Sequence, residues 1–112
     1  MRLNAIVLAT CVLAANQAWG AYYTAKTLLR QCDSDSHEAQ EACRGYIAGI
    51  DDTIEAFGRW SLMRNHWCAP EGTTIEDEER AVVRYLRAHL DSLHTRAAPY
   101  VVYALMEAFP CD

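Results

Sequence analysis

Beyond its first twenty residues the sequence has no long apolar run, so nothing there has the length to cross a bilayer. It has no C-x-x-C pair among its five cysteines, which argues against a thiol redox site or a zinc knuckle. It has no excess of base. A net charge of −5 disfavours nucleic acid and anionic membrane as partners, and is compatible with a basic protein partner. Glycine is sparse, and no strand–loop–helix setting with a lysine surrounds it, so no phosphate cradle is expected. Repeats and low-complexity segments are absent. Proline occurs three times, at Pro70, Pro99 and Pro110, each near a predicted helix border.

What is present begins with a leader. Arg2 precedes an apolar run from Ala5 to Ala15, and Ala18-Trp19-Gly20 offers small residues where a signal peptidase reads. Residues 1–20 are therefore expected to be a cleaved signal peptide, leaving 21–112 as one small domain with a marginal core and no membrane contact of its own. Loss of Arg2 makes the product more acidic still. It also removes Cys11 and leaves Cys32, Cys43, Cys68 and Cys111. An even count in a short exported chain reads as two disulfides and so as an oxidising compartment; periplasm is the expectation, with full secretion left open by composition. Three pairings are open. An up-down bundle places Cys32 near its first corner and Cys68 with Cys111 at one end, which favours Cys32–Cys43 and Cys68–Cys111.

The predicted fold is all-α, a disulfide-stabilised bundle of about four helices. The first covers about 23–30, with Ala25, Leu28 and Leu29 to pack. The second follows an N-cap at Ser36 and runs from about His37 to Trp60. Its apolar positions, Cys43, Tyr46, Ile47, Ile50, Ile54 and Phe57, recur at three and four residues and define one buried face. Pro70 and Gly72 break the chain, and 65–70 is a loop pinned by its cysteine. The third helix starts near Thr74, with capping-box spacing at Thr73/Glu76 or Thr74/Asp77. Val82, Val83, Leu86 and Leu90 form its inner face, with Leu93 near the exit. The fourth takes 97–108, with Val102, Leu105, Met106 and Phe109 as anchors.

No residue set makes a catalytic centre. With the cysteines oxidised, no thiolate is available. His37, His66, His89 and His94 are scattered and form neither a triad nor a metal signature. Asp51, Asp52 and Glu55 diverge around one helix, which cannot supply two carboxylates facing across a cleft. No cofactor and no metal ligands are expected. The acidic run from Glu71 to Glu79 reads either as a solvated helix cap or as a contact for a basic partner. Gly45 and Gly49 each cost a helix about 0.8–1 kcal/mol relative to Ala. Beside Tyr46 they form a small-residue strip, read here as close packing of another helix, within the chain or across a dimer.

These residues also carry a resemblance. Cys32, the run Cys43-Arg44-Gly45-Tyr46-Ile47-Ala48-Gly49, Cys68-Ala69-Pro70-Glu71-Gly72-Thr73-Thr74, Tyr85-Leu86, and Ala104-Leu105 through Phe109-Pro110-Cys111 recur in this order. The sequence resembles the type VI secretion immunity proteins of the Rap/Tai type, from Gram-negative bacteria, over nearly all of 21–112. The resemblance implies a small helical periplasmic domain that binds and blocks a peptidoglycan amidase effector, with a homodimer as one arrangement. It implies no catalysis. The matched residues are scaffold residues and carry no inhibitory role. Partner-binding candidates come from the sequence itself: Trp60, Met63 and Trp67 as interface anchors or as core, and Glu76, Asp77 and Glu78 in the acidic first turn. The competing reading is a periplasmic structural or protein-interaction domain with no toxin partner.

Overall fold

In a computed structural model the chain is described from Tyr22 to Asp112; the predicted signal peptide, and Ala21 after it, lie outside the described residues. Helix α1 spans Ala25–Cys32, α2 His37–Arg59, α3 Ile75–Arg87 and α4 Ala97–Ala108, with a 3₁₀ turn at Leu90–Ser92. The described residues contain no strand, only an isolated antiparallel bridge between Thr24 and Arg96.

That bridge sets where α1 begins. The Ala25 N–H donates to Thr95 O and the Ala97 N–H to Tyr23 O, each at 2.9 Å, so Tyr23 and Thr24 are extended rather than helical. Thr24 then caps α1, accepting from the Thr27 N–H. At eight residues α1 is too short to be stable alone. It is held by this joint with the start of α4 and by the Cys32–Cys43 disulfide to α2, with Cα atoms 5.1 Å apart.

Helices α2 and α3 start at the predicted caps. Ser36 accepts from the Ala39 N–H. Thr74 and Asp77 form a reciprocal capping box, choosing between the two spacings the sequence offered. The core joins all four helices: Leu28 from α1, Cys43 and Ile47 from α2, Val82 and Leu86 from α3, Val101 and Leu105 from α4 are fully buried. Each large aliphatic here contributes about 1.5–3 kcal/mol by leaving water. Tyr46 closes one edge by stacking on Tyr23, with centroids 5.0 Å apart.

Five expected core positions are corrected. Leu90 is 63% exposed, because α3 stops at Arg87. The Ala88 N–H is shared between Arg84 and Tyr85 carbonyls, and the tightened turn swings Leu90 out while Leu93 packs in. Phe57, in the last turn of α2, is exposed rather than part of the core. In α4 the fully buried positions are Ala97, Val101 and Leu105, whereas Val102, Met106 and Phe109 pack only at its margin.

Gly45 and Gly49 do not serve close packing within the chain. Both are exposed, and a Cβ built on either meets nothing within 4 Å. The strip lies on the outer side of α2, so no helix of the described chain offsets its propensity cost.

A candidate partner-binding surface

The second disulfide, Cys68–Cys111, ties the loop after α2 to the tail after α4, and the Cys68 N–H donates to Phe109 O at 2.8 Å. One residue earlier, Trp67 is buried, and its indole N–H donates to Asp51 Oδ1 at 2.9 Å. These contacts anchor one end of segment 57–67.

The other end is fixed by how α2 stops. The Leu62 N–H donates to Phe57 O and the Ser61 N–H to Gly58 O, the paired bonds of a Schellman motif. Ser61 takes the left-handed position, at φ 57°, where glycine is usual. Asn65 folds back over Gly58, occupying the space where any β-carbon would stand. Between these supports Trp60 and Leu62 are each 68% exposed, and Phe57 flanks them. Half of the large exposed apolar side chains among the described residues thus fall within six positions. The structure separates the three anchor candidates: Trp60 projects, Met63 is half-buried, and Trp67 forms part of the core. Leu62 and Phe57 join the surface without having been singled out for it. The signal was the five-residue spacing of two apolar residues across a helix end, hidden because serine, not glycine, stands between them.

The acidic first turn of α3 is arranged differently. Glu76 lies 3.6 Å from Arg44, and Glu79 accepts from Arg44 Nε at 2.8 Å. Asp77 is engaged by Thr74 and Arg80. The Thr74 backbone N–H, then its hydroxyl, hold the Asp77 carboxyl below its ordinary value. Glu78 is buried, against the fully solvated reading of the run. Burial first, and the charges of Asp51 and Asp52 second, push its pKa up from 4.5 to about 7. Asp51 is likewise not simply solvated, since it receives the Trp67 indole.

His89 Nδ1 lies 2.7 Å from Tyr85 O and its ring stacks on Tyr85, a local structural role. Among the described residues no group of three His, Cys, Asp or Glu is placed to hold a metal ion, and no helix is long and apolar enough to span a membrane. All four cysteines of the described chain are in disulfides.

The described residues thus form a small all-α domain with two disulfides and an apolar-tipped loop after α2. A family model described as Rap1a immunity proteins matches residues 24–111. The chain belongs to this family of type VI secretion immunity proteins, as the ordered motifs in its sequence implied. No curated protein matches it. An immunity protein inhibits rather than catalyses, and does so by binding an effector.

Proposed function

We propose that the domain is a periplasmic immunity protein that binds a peptidoglycan amidase effector of type VI secretion and blocks it by occlusion. The observation that carries this reading is the family match over 24–111. The two disulfides support an oxidising compartment. The exposed Trp60 and Leu62, on a loop braced at both ends, are the side chains best placed to enter an effector's cleft. No cofactor takes part; occlusion needs only shape and contact. An effector delivered by a neighbouring cell reaches its substrate in the periplasm, so an immunity protein must be exported to meet it.

The test is protection in cells. A type VI peptidoglycan amidase effector from the same genome is directed to the periplasm, where it lyses the host. Co-expression of the full-length chain with its own leader restores growth, and a version lacking residues 1–20 does not. Lysis despite export of the full-length chain sinks the proposal, and equal protection by the leaderless chain sinks the periplasmic site of action.

A further inference from the structure

The surface at the end of α2 differs from the rest of the chain in charge as well as in exposure. The sequence carries a net charge of −5, yet residues 56–70 contain Arg59, Arg64 and His66 and not one Asp or Glu. Arg59 pairs with Glu55 one turn back. Arg64 and His66 are exposed, and neither forms an ion pair among the described residues. Within the acidic run, Glu76 and Glu79 pair with Arg44 and Asp77 with Thr74 and Arg80, at the surface of the chain itself, and Glu71 is exposed with no ion pair among the described residues.

Resting on the immunity reading above, we propose that the 57–66 segment is an apolar and cationic plug whose partner surface is an apolar-walled cleft rimmed by carboxylates. Trp60 and Leu62 fill the cleft, and Arg64 pairs with its acidic rim. Complementarity of this kind raises the association rate and makes it salt-dependent, while the buried aromatic sets residence time. Bracing matters equally. The Schellman turn at Ser61, Asn65 over Gly58, and Trp67 on Asp51 hold the segment before contact, so little ordering remains for binding to oppose.

The experiment uses the processed chain, purified from the periplasm, and a type VI peptidoglycan amidase effector from the same genome. Affinity and association rate are measured between 50 mM and 500 mM salt for the native chain, Trp60→Ala, Arg64→Glu and Glu71→Lys. All three positions are exposed, and near-ultraviolet circular dichroism checks that each variant keeps its fold. Trp60→Ala is expected to weaken binding about 30-fold or more, chiefly through dissociation. Arg64→Glu is expected to slow association about 10-fold at low salt and to flatten or reverse its salt dependence. Glu71→Lys, outside the plug, is expected to leave affinity unchanged or slightly raised. No binding by the native chain overturns the immunity reading and the plug together. Native binding that survives Trp60→Ala and Arg64→Glu overturns the plug alone. Weakening by Glu71→Lys instead shows that the cleft is basic and overturns the assigned chemistry.

Discussion

Replacing Glu78 by Gln should make the protein more stable at neutral pH, although it removes a native first-turn carboxylate. Glu78 is buried against Asp51 and Asp52, and its pKa stands near 7 rather than 4.5. The folded chain therefore holds this proton more tightly than the unfolded chain does. Below the unfolded value both states are protonated and the site carries no penalty. As pH rises through 4.5 the unfolded state releases its proton first, and stability falls until the folded state releases its own near 7. At about 1.36 kcal/mol per unit, the unscreened penalty above pH 7 is roughly 3 kcal/mol. Water at the rim of the site screens part of it, so about 1–2 kcal/mol is expected. Urea unfolding of the disulfide-intact chain, followed by tryptophan fluorescence at intervals from pH 4.5 to 8, measures this directly. The native midpoint should drop across that range and the Glu78→Gln midpoint should not, leaving the variant about 1–2 kcal/mol more stable at pH 8. A variant that runs parallel to the native curve, or is weaker at pH 8, would refute the assignment of the charge penalty to Glu78.

Gly49→Ala should raise stability by about 0.8–1 kcal/mol, since the added methyl meets nothing and the helix gains propensity. A concentration-dependent loss in thermal melts would show instead that a second chain covers the strip. Replacing both Cys68 and Cys111 by Ser should cost about 4 kcal/mol against about 3 for the Cys32 and Cys43 pair, because the separations closed are 43 and 11 residues. Denaturation of the two Ser pairs that gave the reverse order would contradict the chain-entropy argument. Ser61→Gly should stabilise by about 0.5–1 kcal/mol by relieving a left-handed serine; a loss in the same assay would mean the hydroxyl contributes something the backbone geometry does not show.

Much of the scaffold was readable because its signals are local. The three-and-four spacing from Cys43 to Ile54 marks a buried face, and Ser36 and Thr74 cap the helices they precede. Misreadings came where the deciding partner lies far along the chain. Two glycines four apart look the same whether or not a helix lies over them, and here no other part of the described chain does. Trp60 and Trp67 are alike in sequence. Which one is buried depends on Asp51, sixteen residues away from Trp67, and on the disulfide from Cys68 to Cys111. Glu78 reads as one more first-turn acid until α2 is packed against it. Leu90 continues the apolar period of α3 with no glycine or proline to announce that the helix has ended. The loop surface was only half legible, because a Schellman turn built on serine carries no glycine signature.

The most direct test of the central claim is a stoichiometric inhibition titration. Residues 21–112, with both disulfides intact, are added to a type VI peptidoglycan amidase effector from the same genome, and release of peptide from purified peptidoglycan is followed. Occlusion by a braced loop predicts a linear fall of activity to zero at a fixed molar ratio, with no metal or cofactor added. Amidase activity that persists at a large excess of the folded chain would contradict it.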